Sequence, residues 1–131
     1  MQAFRNLAVW QRAHALAVAC HRTPFRRGLQ ASPGLRSQLL RAAASIAANI
    51  AEGAGQRSQA QFARFIEIAI SSTHELDNHI ELARSLEMID SRTADELQEL
   101  VWEVARMLTG LHRKVRERAI AEHRSRQNKL A

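Results

Sequence analysis

The segment of the chain most like a metal site is residues 74–79, where two histidines flank acidic side chains. His74 and His79 enclose Glu75 and Asp77. A zinc-protease helix needs two histidines four residues apart, because both rings must then face the metal. The two histidines here are five positions apart, and at about 100° per residue their rings point roughly 140° away from each other. The spacing therefore argues against a zinc site.

Other catalytic templates fail on spacing as well. A di-iron helical site needs a glutamate three residues before a histidine, and none of the six histidines has one. Cys20 has His21 beside it but no orienting Asn or Asp, so we interpret it as a small buried apolar residue. The Gly53-Ala54-Gly55 run lacks the rest of a phosphate loop. We therefore expect a protein without enzymatic activity, bound metal or cofactor.

Length and composition favour a single cytoplasmic domain. The chain has 131 residues, enough for one domain with a substantial hydrophobic core. A single cysteine cannot form an internal disulfide, which fits a reducing compartment. No stretch approaches the roughly 20 apolar residues that span a bilayer, and the first residues lack the apolar segment of a signal peptide. We therefore expect a cytoplasmic protein that does not enter a membrane.

Charge is distributed along the chain in three blocks. Residues 1–66 hold nine arginines against one acid, a net charge of +8. Residues 67–112 hold three arginines against ten acids, a net charge of −7, and residues 113–131 hold seven basic against two acidic side chains, a net charge of +5. Such asymmetry suggests a polyanion as the partner of the basic blocks. It also allows basic and acidic surfaces of different subunits to meet.

Arginine dominates the two basic blocks, and its planar guanidinium can donate two hydrogen bonds to one phosphate. We therefore expect salt-dependent, largely sequence-independent binding of RNA or DNA. The candidate phosphate-binding residues are Arg5, Arg12, Arg22, Arg26, Arg27, Arg113, Lys114, Arg116, Arg118, Arg124 and Arg126. No run of alternating aromatic and basic residues occurs, so a platform for base stacking is not expected. A solvated surface, or a binding surface for an acidic protein, remains open as an alternative.

Apolar residues recur at helical spacing in four segments, which predicts four α-helices. The first covers residues 6–22, the second begins at the Ser32-Pro33 pair, and the third and fourth begin with capping boxes at Ser58 and Thr93. In the last three helices the predicted core positions alternate four and three residues apart. The predicted core positions are Leu7, Trp10, Ala13, Ala17 and Cys20; Leu39, Ala43, Ile46 and Ile50; Phe62, Ile66, Ala69, Thr73, Leu76, Ile80 and Ala83; and Leu97, Val101, Val104, Leu108, Leu111 and Val115.

Helices joined by short turns predict an all-α fold, an antiparallel up-down four-helix bundle. The bundle domain covers residues 1–121, and residues 122–131 are expected to form a basic, frayed tail because the apolar seam stops at Val115. The second helix has small residues on nearly every face between Ala42 and Ala51. These residues serve either helix propensity or burial against a second subunit as well as the chain's own core. We favour the second interpretation and expect a homo-oligomer.

Several runs of sequence resemble a known family. They are FRNLAVWQRA at residues 4–13, LRSQLLRAA at 35–43, SIAANIAEG at 45–53, FARFIEIA at 62–69, Glu75-Leu76, and MLTGL at 107–111. The family they resemble is the four-helix-bundle proteins encoded in ribosomal RNA intervening sequences, together with the accessory variability determinants of diversity-generating retroelements. Ala47 departs from the family pattern, which usually has proline at this position.

The resemblance implies an antiparallel bundle that assembles as a ring-like homopentamer. It implies a basic surface that binds RNA or DNA and, in the retroelement branch, a reverse transcriptase as partner. A protein-interaction adaptor without direct nucleic-acid binding is the alternative. The resemblance also marks hallmark residues with a structural or oligomer role, namely Arg41, Asn49, Glu52, Gly53 and Glu75. Because buried polar groups need partners, we expect Asn49 and Glu52 to be bonded by Arg41, Arg64 or Gln38.

Overall fold

The computed structural model describes residues 3–26 and 34–131. Helix α1 covers Ala8–Arg22, α2 covers Leu35–Ala54, α3 covers Gln59–Ser85 and α4 covers Ser91–Leu130, and a short 3-10 helix at Ala3–Asn6 precedes α1. Neither described range contains a strand, so the prediction of an all-helical, four-helix fold is confirmed. No helix in these ranges is both long and apolar enough to cross a membrane.

Contacts between neighbouring helices show how they lie beside one another. Helix α1 packs on α2 and α4, and α3 packs on the same two helices. Helices α3 and α4 run in opposite directions along each other. Glu67, in the first half of α3, contacts His112 in the second half of α4, whereas Arg84, near the end of α3, contacts Asp95 near the start of α4. These contacts place the start of α3 beside the second half of α4.

The core consists mainly of aliphatic side chains on the inward faces of the helices. Every predicted core position in α2, from Leu39 to Ile50, is fully buried. The predicted positions in α3 and α4 are buried too, apart from Phe62 and Leu111, which are partly exposed at the edge of the core. The predicted seams of these three helices are thus confirmed. Burial of a Leu or Ile side chain stabilises the fold by about 1.5–3 kcal/mol.

In α1 the buried face agrees with the predicted one at Ala13 and Cys20 and differs at the other positions. The buried residues are Val9, Ala13, Leu16 and Cys20. Leu7 instead precedes the helix as its N-cap, and Trp10 and Ala17 are only partly buried. The reason is that apolar residues occupy almost every side of α1, so periodicity alone does not select one face. Packing against both α2 and α4 decides which face is buried.

Helix starts follow local capping chemistry. Ser58 caps α3 as predicted, since its hydroxyl accepts the Gln61 backbone N–H at 3.1 Å. The prediction of Thr93 as the cap of α4 is wrong. Asp90 holds that position, and its carboxylate accepts the Thr93 backbone N–H at 2.7 Å, because a charged oxygen suits the positive end of a helix. The predicted start at Ser32-Pro33 lies outside the described residues, and the described part of α2 begins at Leu35.

The Asp90 cap makes the stability of the fold depend on pH. Hydrogen bonds from the Thr93 backbone and side chain lower the pKa of Asp90 below its ordinary value. The stabilisation is therefore fully present above the unfolded-state pKa of about 3.9 and is lost as the pH falls through the lower folded-state pKa. We expect Asp90→Asn, which keeps a capping oxygen, to have a lower Tm than the wild type at neutral pH. Thermal unfolding should show the gap between the two Tm values closing as the pH falls below the unfolded-state pKa of the carboxyl group; a constant gap would contradict this prediction.

Helix α4 continues without interruption to Leu130. The expected frayed tail at residues 122–131 is therefore helical, which corrects the prediction. Most residues of this segment are good helix formers. The Glu122 carboxylate also lies 3.9 Å from the Arg126 guanidinium one turn later, an order of charges that favours helix.

Candidate nucleic-acid interface

The second half of α4 carries six of the candidate phosphate-binding residues in exposed positions. They are Arg113, Lys114, Arg116, Arg118, Arg124 and Arg126. Val115, among them in sequence, is fully buried, so it holds this part of the helix on the core while its neighbours face outward. The helix therefore presents cations around most of its circumference.

The start of α3 supports this part of α4. The ring of His112 lies 3.1 Å from the Glu67 carboxylate, and the backbone N–H of Gln59 donates to the Glu122 carboxylate at 3.3 Å. Gln59 is the first residue of α3, so α3 does not extend alongside α4 beyond this point. Residues 123–131 are all exposed. The basic end of α4 therefore projects from the packed helices.

Most of these cations have no acidic partner among the residues that the structure describes. Within residues 3–26 and 34–131, one ion pair includes any of the six cations. It joins Arg126 to Glu122 at 3.9 Å. An exposed ion pair contributes at most about 1 kcal/mol, so Arg126 can exchange its carboxylate for a phosphate. Charges interact over a Debye length of about 8–10 Å at physiological salt. A phosphate near this segment is therefore attracted by several cations at once.

Two candidate arginines near the start of α1 are engaged with neighbouring side chains. Arg12 pairs with Glu103 of α4 at 2.9 Å, which offsets its charge. The guanidinium of Arg5 lies 5.2 Å from the centre of the Phe4 ring, a cation–π distance. Both side chains are exposed, but a phosphate at Arg12 would compete with the carboxylate of Glu103.

Two further candidates of the first basic block, Arg22 and Arg26, lie at the opposite end of the described structure. The backbone N–H of Arg26 donates to the carbonyl of Met88 at 2.8 Å, just before α4 begins, and Arg22 is the last residue of α1. The rise of α4 alone places about 33 Å between Ser91 and Arg113. These arginines therefore do not share one site with the basic end of α4. Arg27 lies outside the described residues.

A groove on the outer surface between α3 and α4 adds a cation that sequence reasoning missed. One part of the groove, of about 490 Å³, is lined by Arg106 and Arg113, and another, of about 510 Å³, by Arg116 and Arg124. Arg106 belongs to residues 67–112, whose net charge is negative, so the charge count by blocks did not single it out. Its spacing of seven residues from Arg113 puts both on one helix face, and this spacing is the signal that could have found it.

Gly53 lies where α2 crosses α3. A Cβ atom at Gly53 would lie 2.7 Å from Cβ of Phe65 and 2.9 Å from Cδ1 of Phe62. Real side chains do not approach that closely, so the two helices pack at a distance that only glycine allows at this position. The hallmark glycine therefore has a structural role in helix packing.

Asn49 is bonded differently from the prediction. Its amide donates to the carbonyl of Ser45 at 2.8 Å and to the Ser45 hydroxyl at 3.0 Å, and that hydroxyl shares a hydrogen bond of 2.9 Å with Ser72 of α3. The predicted partners Arg41, Arg64 and Gln38 do not take this role, because the serine one turn earlier is closer. Asn49 therefore joins α2 to α3 through a pair of hydroxyls.

The other hallmark residues face outward. Arg41, Glu52 and Glu75 are exposed, and Glu75 lies 3.4 Å from the ring of His79 on the next turn of α3. Exposed charges on adjacent α2 and α3 are available to a second molecule rather than to the core. This placement fits an intermolecular role better than a buried structural one.

The sequence marks Cys20 and the clusters of histidine and acidic side chains for possible chemistry. Cys20 is fully buried, as predicted, and desolvation raises the pKa of its thiol to about 12, so the reactive thiolate is scarce at neutral pH. In residues 3–26 and 34–131, no three His, Cys, Asp or Glu side chains are close enough together to hold a metal ion.

The fold and its charged surface define a class of protein. It is a four-helix protein with one hydrophobic core, and its fourth helix ends in an exposed basic segment. The family model of the 23S rRNA-intervening sequence proteins matches residues 5–110, so the chain belongs to this family. No protein with a curated description matches the chain.

A solved structure shares the fold. It is a protein with unknown function from the S23 ribosomal protein family of Bacteroides thetaiotaomicron, with a TM-score of 0.73 and 24% sequence identity. The superposition covers 80% of this chain and 98% of the other. At this identity the likeness establishes the helical architecture and nothing about activity.

Proposed function

We propose that this chain is a non-catalytic scaffold that binds nucleic acid, RNA or DNA, through the basic second half of α4. In this proposal it works in the cytoplasm, needs no cofactor, and assembles as a homo-oligomer. Binding is electrostatic and depends on phosphate rather than on base sequence, because the side chains offered are mainly guanidinium and ammonium groups.

The observation that carries the proposal is the state of the cations on α4. From Arg113 to Arg124 they are exposed, and the described residues supply them with no acidic partner within 4 Å. Two acidic residues of the block that precedes Arg113 instead contact side chains of other helices. Glu67 contacts His112, and Glu103 contacts Arg12. In the first half of α4, charged side chains form ion pairs with other side chains of the protein. In the second half, the exposed cations can bind a polyanion.

Self-assembly into a ring-like pentamer of up-and-down bundles is the second part of the proposal. Its support is α2, where Ala44 and Ala48 are exposed while Ile46 and Ile50 are buried in the chain's own core. The outward surface of α2 is therefore small rather than bulky, and it permits close approach of a helix from a second copy. The number five rests on the resemblance to the family.

A protein partner, for example a reverse transcriptase, is the second candidate function. Trp102 favours it, because its ring is 52% exposed on α4 and exposed tryptophan is enriched in protein interfaces. Its indole N–H donates to the Asp77 carboxylate at 3.4 Å, which puts it in an acidic part of the surface. A partner held there should remain bound after nuclease treatment.

The binding experiment compares a double substitution with a single substitution on the same helix. Arg113→Gln with Arg116→Gln removes two open cations, and we expect weaker binding to RNA or DNA and a salt dependence of log Kd that is shallower by roughly two, about 0.9 per lost phosphate contact. Arg92→Gln is the matched control, because Arg92 is exposed on α4 but paired with Glu96 in the acidic half. We expect it to bind as the wild type does.

Light scattering on the same samples tests the assembly. A mass several times the 14.7 kDa of one chain is expected, and a monomer would contradict the assembly while leaving the binding result intact. Absence of salt-dependent binding by the wild type to either nucleic acid would contradict the main proposal.

A further inference from the structure

We infer that the projecting end of α4, residues 123–130, enters the major groove of double-stranded DNA as an intact helix. The inference rests on the proposed nucleic-acid binding and names its substrate class. The helix of this segment is the feature that the sequence did not predict.

The first observation is that this end of the helix continues past the start of α3. The backbone N–H of Gln59, the first residue of α3, donates to Glu122 at 3.3 Å. His123, Arg124 and Gln127 line an open groove with Ala60 and Ala63, and every residue after Glu122 is exposed. From His123 to Leu130 the helix adds eight residues, which at about 1.5 Å each project about 12 Å. An exposed projection of this length can reach into a surface that the packed helices cannot enter.

The second observation is a match of dimensions. An α-helix with its side chains is about 10–12 Å across. The major groove of B-form DNA is about 12 Å wide and about 8.5 Å deep, and it admits an α-helix. The groove of duplex RNA that corresponds to it is deep and narrow and does not admit side chains for readout, so the geometry favours DNA over RNA.

The third observation is the direction of the charges. Arg124 and Arg126 lie about 200° apart around the helix axis, so they face opposite sides. A helix lying in a groove has a phosphate strand on each side, and cations on opposite sides can contact both strands.

Single-stranded nucleic acid is a poorer fit. Binding of single strands usually combines cations with aromatic side chains on which bases stack. Residues 113–131 contain no Phe, Trp or Tyr. A duplex, whose bases are already stacked, does not need such a platform.

The test breaks the helix without changing its charge. In the full-length protein, Ser125→Pro removes a helical hydrogen bond and clashes with the preceding turn, whereas Ser125→Ala keeps the helix and serves as the control. We expect Ser125→Pro to weaken binding to a labelled DNA duplex about tenfold or more, since each lost phosphate contact costs up to roughly that factor at 0.1 M salt. Unchanged thermal unfolding would show that the core, held at Val115, is intact.

Groove and substrate are tested with altered duplexes. Methylation of guanine N7, an atom exposed in the major groove, should weaken binding, and a duplex RNA of the same sequence should bind less tightly than the DNA. The inference is overturned if Ser125→Pro binds duplex DNA as Ser125→Ala does, or if duplex RNA binds as tightly as DNA. In either case binding itself persists, so these results leave the proposed function standing; loss of all binding by the wild type would overturn both.

Discussion

Replacing Gly53 with alanine is expected to lower the free energy of unfolding by about 1–2 kcal/mol, although alanine is the better helix former. Alanine gains up to about 1 kcal/mol of helix propensity over glycine. Its methyl group, however, would lie 2.7 Å from Cβ of Phe65, an atom that cannot move without the α3 backbone. Forcing an extra methyl into packed surroundings typically costs about 1–3 kcal/mol. The steric term therefore exceeds the propensity term.

The matched control is Gly110→Ala on α4, where nothing lies within 4 Å of an added Cβ. Only the propensity term acts there, so we expect Gly110→Ala to stabilise the protein by about 0.5–1 kcal/mol. Urea unfolding followed by circular dichroism, at one protein concentration for all variants, measures both changes. If Gly53→Ala were as stabilising as Gly110→Ala, the close crossing of α2 and α3 would be refuted.

Truncating Ile80 to alanine is expected to lower the free energy of unfolding by about 2–5 kcal/mol, the largest effect we predict for a single substitution. Ile80 is fully buried on the inward face of α3. Its truncation removes apolar contacts and leaves a cavity that rigid neighbours fill only in part.

Ile68→Ala makes the same chemical change on the outward face of the same helix. Ile68 is 49% exposed in the single chain. Its truncation should therefore change the free energy of unfolding of one chain by no more than about 0.5 kcal/mol. The same urea unfolding experiment compares the two variants. Equal losses for both would mean that α3 does not present the face that the structure assigns to the core.

The charge pattern of the chain has two different structural outcomes. Within the described residues, five of the ten acids of residues 67–112 contact another helix, as in the contact of Asp95 with Arg84 at 2.7 Å. The cations that follow Arg113 lie beyond most such contacts. A net charge of +6 for the whole chain therefore understates the positive field at one end of the molecule, where a polyanion would first arrive.

The sequence by itself determined the helical fold and most of its core. In α2, α3 and α4, apolar residues alternate four and three apart, and this period is compatible with helices that bury one stripe each. In α3 and α4 polar residues between the stripes leave one possible inward face, and in α2 the bulky Leu39, Ile46 and Ile50 mark it. The family was recognised by the resemblance of several runs to its sequences, among them SIAANIAEG at residues 45–53.

Only the tertiary structure decided features that depend on what lies beside a residue. The buried face of α1 follows from its contacts with α2 and α4, since its apolar residues leave several faces possible. The partner of Asn49 is the nearby Ser45 rather than a long charged side chain. Arg22 and Arg26 lie apart from the cations of the second half of α4, because α1 ends near the start of α4. The start of α4 is about 33 Å from Arg113 along the helix axis. Periodicity is a property of one helix, whereas these outcomes are set by the distances between helices.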